Sequence, residues 1–264
     1  MMIAPHHIIS IRIRYMRSVA LSMERMKDRY SRQLSVEGFG QKAQDKLADA
    51  TVAVVGVGGL GSPACQYLAA AGVGKLIIVD DQRVDGSNLN RQILHWEEDA
   101  LLPRFKVESA RNKLKDLNSE VLIEALPLKL MDDNLYILED ADLTLDCLDN
   151  PKGRYLLNRH CLSTRTPLVH GAVEGMAGHV ITFVPGGPCL RCAFPHLTSH
   201  RGSVPVLGAA AGVIGAMQAM EAIKLITGVG DAPDGRGLFL DLKSNEVSEV
   251  VFVKDLSCLD CGSL

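Results

Sequence analysis

The glycine-rich turn Gly56-Val57-Gly58-Gly59-Leu60-Gly61 constrains what this chain can fold into more than any other feature. It follows the apolar run 51–55 and opens a helical stretch over residues 62–71. A second apolar run, 75–79, ends at Asp80. Strand, GxGxxG turn, helix, strand and acid, in that order, form the layout that binds an adenine nucleotide on a doubly wound sheet. Gly56 permits the tight turn, Gly58 lets backbone approach phosphate, and Gly61 lets helix and strand pack closely. Gly56, Gly58, Gly59 and Gly61 are therefore the candidate phosphate-binding backbone, since N–H groups at a helix start attract anionic oxygens. Asp80 is placed to accept hydrogen bonds from ribose hydroxyls, with Asp81 as a competing candidate. A tight turn without a ligand is the plainer reading, but strand, turn, helix and acid agree with one another.

That layout alone fits an NAD-dependent oxidoreductase. The residues downstream are left over by hydride transfer and suit a phosphate chain instead. Ser87-Asn88-Leu89-Asn90-Arg91-Gln92 follows the second strand, at the sheet edge where ligands of open α/β sheets bind. Arg91 can grip phosphate oxygens with its planar fork. A solvated Asn-rich loop is the plainer alternative. Lys106 opens an amphipathic helix over residues 105–117, where a first-turn cation opposes the helix dipole and an anionic ligand would offset that cost. Asp149 and Asn150 lie just past a strand at 143–146. A carboxylate there can hold Mg2+ against phosphates, while either residue could cap the next helix.

Seven cysteines are present, an odd number that argues against a simple disulfide framework. Cys189-Leu190-Arg191-Cys192 and Cys258-Leu259-Asp260-Cys261 make two CxxC pairs whose four thiolates suit tetrahedral Zn2+. The rival, redox chemistry, would want one pair at a helix start in a thioredoxin-like unit. Cys65, Cys147 and Cys161 lie in apolar stretches and read as buried, inert thiols. His170 and His179 look isolated and receive no role.

The 264 residues are 47% hydrophobic and 22% charged with net charge −3, which describes a globular chain with a sizeable core. That balance gives no broad electrostatic case for nucleic acid or a membrane surface. No apolar run of about 18 residues is seen, so no transmembrane helix is expected. Residues 1–26 read as a poorly ordered extension, acid-free as far as Met23. Residues 26–50 read as two helices broken at Gly38 and Gly40. Further strands are expected at 121–125, from 167, at 178–184, 237–241 and 246–253, with turns at Gly186-Gly187 and residues 243–245. Helices are expected at 132–138, 152–164 and from 204 onward, the last Gly/Ala-rich. Alternating strands and helices to residue 170 imply a parallel sheet. The fold class is therefore α/β: a Rossmann-like doubly wound sheet, parallel at first and mixed toward the C-terminus, with a four-cysteine zinc knuckle.

Together with Arg29-Tyr30-Ser31-Arg32-Gln33, Lys106-Val107-Glu108-Ser109-Ala110 and the helix 214–224, these motifs resemble the ubiquitin-activating-enzyme-like adenylyltransferases of the MoeB/ThiF/HesA family, over about residues 29–262. The resemblance implies one ThiF-type domain over 27–264, with an ATP-binding half at 27–150 and a carrier-binding, dimer and zinc half at 151–264. It implies a cytoplasmic homodimer that adenylates the C-terminal glycine of a ubiquitin-like sulfur carrier ending in Gly-Gly, in molybdopterin, thiamine or related biosynthesis. Asp80 would bind ribose, Asn88, Arg91 and Lys106 phosphates, and Asp149 Mg2+. Ser87, Leu89, Asn90 and Asn150 would line the nucleotide, and Arg32 would reach the triphosphate from the other subunit. Two departures stand out. The crossover loop 195–205 has no cysteine, so a covalent step there is not expected and an external persulfide donor would supply sulfur. The proline usually just before the lysine is displaced, giving Pro103-Arg104-Phe105-Lys106, so Arg104 competes with Lys106. A tRNA threonylcarbamoyladenosine dehydratase of the same superfamily is the alternative reading, followed by the oxidoreductase. A catalytically silent binding partner would not need Arg91, Lys106 and Asp149.

Overall fold

The computed structural model describes residues 29–198, 204–232 and 234–263. The expectations for residues 1–26 and for Ser199 to Ser203 lie outside the described residues. Two compact units are distinguished, residues 1–41 and residues 42–264. In the first, the described residues form the short helix α1 (Ser31–Leu34) and a break at Gly38 and Gly40, both with positive φ (78° and 58°). Helix α2 (Gly40–Asp49) starts at that break and runs into the second unit.

The second unit is built on eight strands: β1 (Thr51–Val55), β2 (Lys75–Val79), β3 (Leu122–Leu126), β4 (Leu143–Asp146), β5 (Leu168–Glu174), β6 (Ala177–Phe183), β7 (Arg236–Asp241) and β8 (Glu246–Val251). Their spatial order is β3-β2-β1-β4-β5-β6-β7-β8. Pairing is parallel from β3 through β5 and antiparallel from β5 to β8. β1 and β2 are continuous apolar runs, buried from their second residue onward. That pattern marks strands covered on both faces. On one face Ala53 and Val55 pack with Leu156 and Leu157 of α6 (Pro151–Thr164). Helix α3 (Gly61–Ala71) follows β1, α4 (Glu97–Leu101) and α5 (Lys106–Leu117) precede β3, and α7 (Leu190–Ala193) and α8 (Gly208–Thr227) separate β6 from β7. The chain reverses winding between β1 and β4. The crevice beyond their carboxyl ends is the switch point where such sheets bind ligands.

Several expectations shift. The turn at Gly186-Gly187 closes no hairpin, because β6 leads on to α7 and α8. The hairpin joins β5 to β6 through Gly175, at φ 61°, and Met176; glycine at the first position of a two-residue loop suits this geometry. The segment 132–138 tightens to a 3-10 turn over Leu135–Leu138, and α4 was not anticipated. Helix α8 runs on to Thr227 and is long and apolar enough, by length and composition, to cross a membrane, contrary to expectation. Its contacts are those of a core helix. The Gln218 amide donates to the carbonyls of Asp146 (2.9 Å) and Val169 (3.1 Å), and Gly208 and Gly215 lie against backbone.

A Cβ added at Gly215 would stand 2.2 Å from the Leu60 carbonyl oxygen, whereas one at Gly212 would meet nothing within 4 Å. Gly215→Ala is expected to destabilise the protein by about 2–3 kcal/mol, lowering Tm by roughly 5–10 °C. Gly212→Ala, one turn earlier in the same helix, should be neutral or gain up to about 1 kcal/mol. Thermal melts of the two variants side by side check the contrast.

Candidate functional site

The glycine turn is wedged between β4 and its own helix. Gly56 sits at φ +95°, and a Cβ there would lie 2.6 Å from the Cys147 carbonyl oxygen. A Cβ at Gly61 would lie 1.9 Å from the Gly56 carbonyl oxygen. Gly59 is tight against the Ala211 Cβ, at 3.2 Å. Gly58 is open: the nearest atom to an added Cβ is the Gln92 amide nitrogen at 3.6 Å. Among the described residues no protein acceptor takes the Gly58 or Gly59 N–H. Open backbone with unpaired N–H groups ahead of a helix is what an anion cradle requires. Beside it, Gln92 is buried and its Oε1 has no hydrogen-bond partner. Buried acceptors are rarely left unpaired, so this atom fits a donor from a ligand or its hydration shell.

Asp80 follows β2 directly and braces the turn. Its Oδ2 accepts the Val57 N–H and its Oδ1 the Gln82 N–H, both at 2.9 Å. Each oxygen keeps a second lone pair for a hydroxyl. Asp81 is exposed. Lys106 is buried at the first position of α5, and its Nζ donates to Gln82 Oε1 at 2.7 Å. Burial pushes its pKa down, Asp80 and Asp149 pull it back up, and Arg91 pushes it down again. Burial raises the Asp80 carboxyl and Lys106 opposes that. These couplings gather Asp80, Asp149, Arg91 and Lys106 into one neighbourhood. Arg104 turns instead to buried Asp99, at 3.4 Å.

The segment Gly86–Asn88 forms a 3-10 turn capped by Asp85. Ser87 Oγ donates to Asp85 Oδ1 (2.6 Å), and Asn88 Oδ1 accepts the Asp85 N–H (3.2 Å). Arg91 Nη1 donates to the Ser87 carbonyl (2.8 Å) and to Asn90 Oδ1 (2.9 Å). Ser87, Asn88 and Asn90 thus shape the loop and hold Arg91, and half-buried Leu89 ends the turn. Two residues were overlooked in the sequence. Gln82 is the resting partner of Lys106. His95, buried behind the turn, contacts Val57 and Ser109. A single polar residue outside a recognisable motif carries no sequence signal.

Asp149 is exposed beyond β4. Asn150 caps α6, accepting the Gly153 N–H at 2.8 Å, so the capping role falls to it and not to Asp149. Leu148, the residue before Asp149, is held through both of its peptide groups. The Leu148 N–H donates to Asp146 Oδ1 at 3.0 Å, and the Leu148 carbonyl accepts from Arg154 Nη2. His170 Nδ1 lies 2.7 Å from Asp146 Oδ2, and its Nε2 lies 3.2 Å from His179 Nε2. The expectation that His170 and His179 are isolated is therefore corrected. The unanticipated β5–β6 hairpin makes them neighbours, and His179 stacks on Phe194, with ring centres 5.3 Å apart. Burial opposes ionisation of Asp146, but Arg154 and His170 hold its carboxyl below the usual range. Burial and the Arg154 charge depress His170, and burial takes His179 down to about 3.

The sulfurs of Cys189, Cys192, Cys258 and Cys261 all lie within 4.8 Å of one another. Three separations are 3.9, 3.7 and 3.3 Å. Tetrahedral thiolates at roughly 2.3 Å from Zn2+ would stand roughly 3.8 Å apart, so the four residues fit such an ion. Cys189 caps the four-residue α7, which belongs to no thioredoxin-like unit. Burial pushes the Cys65 and Cys161 thiols up to about 12 and Cys147 well above its usual value, as inert thiols require. His196 of the crossover loop is exposed.

A glycine turn with unpaired N–H groups at the switch point of a doubly wound sheet, beside the buried Lys106, makes this an α/β protein whose crevice suits an anionic ligand. The model of the ThiF family matches residues 30–259, and the chain belongs to that family. It is 42% identical over 242 residues to the SAMP-activating enzyme E1 of Haloferax volcanii, spanning 89% of this chain and 88% of that protein. It is 46% identical over 220 residues to the adenylyltransferase and sulfurtransferase MOCS3-1 of Drosophila pseudoobscura pseudoobscura, which is 81% of this chain but 48%, about half, of the length of that relative. The crystal structure of E. coli MccB with MccA-N7isoASN shares the fold, with a TM-score of 0.81 and 23% identity over 90% of this chain and 75% of that one.

His95, held down to about 4 by burial, and His179, at about 3, stay neutral in the folded chain. Unfolded histidines bind protons below about pH 6.5. The unfolded state therefore takes up more protons on acidification, and stability is expected to fall as pH drops from about 6.5 toward 4. Urea midpoints at pH 7.5, 6.5 and 5.5 check this, and His179→Phe should flatten the slope.

Proposed function

We propose that this chain uses ATP to adenylate the C-terminal glycine carboxylate of a small ubiquitin-like sulfur carrier ending in Gly-Gly. The observation that carries the reading is the open glycine turn, whose Gly58 and Gly59 N–H groups meet no protein acceptor among the described residues, with Asp80 bracing it and the buried Lys106 ammonium feeling the charges of Asp80, Asp149 and Arg91. The names of the similar proteins, an activating enzyme and an adenylyltransferase, support the same chemistry. A terminal carboxylate is already ionised at neutral pH and needs no general base. Its oxygen would attack the α-phosphorus, and the bond to the pyrophosphate oxygen would break. What the protein must supply is positioning and preorganised charge.

In this reading Gly58 and Gly59 offer N–H groups to the phosphates and Asp80 accepts from the ribose. Ser87, Asn88, Leu89 and Asn90 line the nucleotide, while Arg91 and Lys106 meet the growing negative charge. Asp149, with Asn150 beside it, would hold Mg2+, which draws charge from the phosphate oxygens. Arg32 of α1 would act on the triphosphate of a partner subunit in a homodimer. Residues 151–264 would carry the carrier-binding and dimer surfaces, and Cys189, Cys192, Cys258 and Cys261 a structural Zn2+. A persulfide donor would follow, for a sulfur-requiring biosynthesis such as that of molybdopterin or thiamine, in the cytoplasm.

Asp149→Ala is expected to lower Mg-dependent ATP–pyrophosphate exchange with a Gly-Gly-ended carrier on the order of a hundredfold or more, with an unchanged melting curve. Exchange near the parent rate would remove Asp149 from the metal site. The purified protein is expected to hold one Zn2+ per chain by elemental analysis. Cys261→Ser should lose the metal and melt several degrees lower, while the intact nucleotide residues keep ATP binding close to the parent level.

A further inference from the structure

His95 takes no part in the sequence motifs, yet it touches the centre of the glycine turn. Its ring is 3% exposed, with Nε2 3.0 Å from the Val57 carbonyl oxygen and Nδ1 3.0 Å from Ser109 Oγ. A carbonyl only accepts, so Nε2 carries the hydrogen. With the imidazole neutral, Nδ1 is an acceptor that faces the Ser109 hydroxyl, whose single hydrogen is directed at Asp99 Oδ2. Ser109 Oγ lies 2.9 Å from Asp99 Oδ2, and Lys113 Nζ donates to both oxygens. A polar cluster of Lys113, Asp99 and Ser109 therefore packs against the far side of the His95 ring and fixes its place behind the turn.

The Val57 N–H is bound as well, to Asp80 Oδ2 at 2.9 Å. Residue 57 is thus gripped at both its amide and its carbonyl. A trans peptide points its C=O and the following N–H in opposite directions. Drawing the Val57 carbonyl toward His95 turns the Gly58 N–H the other way, and that N–H is one with no protein acceptor among the described residues.

We propose that His95 is a positioning residue for the phosphate chain: by holding the Val57 carbonyl it aims the Gly58 N–H at the nucleotide's phosphate oxygens. The inference rests on the turn being an ATP cradle. The glutamine side chain places an N–H at about the reach of Nε2, while methionine fills the volume without a donor. His95→Met is expected to weaken MgATP binding roughly tenfold, the worth of about one hydrogen bond, and to leave adenosine binding unchanged. His95→Gln should recover most of the loss.

Both ligands are titrated calorimetrically against the intact chain and its variants. Equal weakening of ATP and adenosine, equal loss in His95→Gln and His95→Met, or no change in either would overturn the role of His95. Should His95→Met not fold, Ser109→Ala leaves the ring in place without its anchor and should weaken ATP selectively, by a few-fold. A parent protein that bound adenosine and ATP equally, or bound neither, would overturn the cradle reading itself.

Discussion

The contact on which the rest of this site depends is between backbone and backbone. The turn leaving β1 lies so close to the peptide leaving β4 that no side chain fits between Gly56 and the Cys147 carbonyl. The Cys147 N–H donates to the Val55 carbonyl at 2.9 Å, which continues the β1–β4 ladder past the last paired strand residues. Cradle and Asp149 loop are thereby held together by peptide groups, whose geometry varies little, and not by long side chains. Lys106 completes the arrangement from the next element out, since its backbone N–H is bonded to the Gln82 carbonyl at 2.9 Å.

Behind this surface lie two polar networks: buried Asp146, His170 and Gln218 with half-buried Arg154, and buried His95, Ser109 and Asp99 with half-buried Lys113. Each set ends on a backbone group of a loop at the site, Leu148 in the first and Val57 in the second. Buried polar networks fix one arrangement when all members are paired, because an unpaired member costs more than a paired one returns. Here they rigidify loops that carry no regular ladder of their own.

Much of this was legible in the sequence, for identifiable reasons. β1, β2 and β4 matched their expected bounds because each is a short apolar run ended by a turn or acid. The glycine spacing located the turn because Gly56 and Gly61 answer steric demands that only glycine meets. What the sequence hid depended on pairing across the sheet. His170 and His179 looked unrelated because nothing local indicates that β5 folds back on β6 at Gly175. Helix α8 was legible from 204 onward, and only its start shifts, to Gly208. His95 and Gln82 escaped notice because a residue that orients another leaves no periodic trace.

Helix α6 joins two features that have so far been treated apart. It begins at Asn150, immediately after Asp149, and about 12 Å further along its axis Asn158 reaches both cysteine pairs. The Asn158 side chain accepts the Leu190 N–H and donates to Asp260 Oδ2, each at 2.9 Å. The helix is thus pinned at its tip and again midway, as a beam on two supports. A helix is stiff along its axis, so the cysteine pairs steady the middle of the beam, while the Asn150 cap and the Arg154 bond to the Leu148 carbonyl hold its tip independently. The Asp149 loop thus rests on a strut with two anchors, and releasing the far one leaves the near one in place.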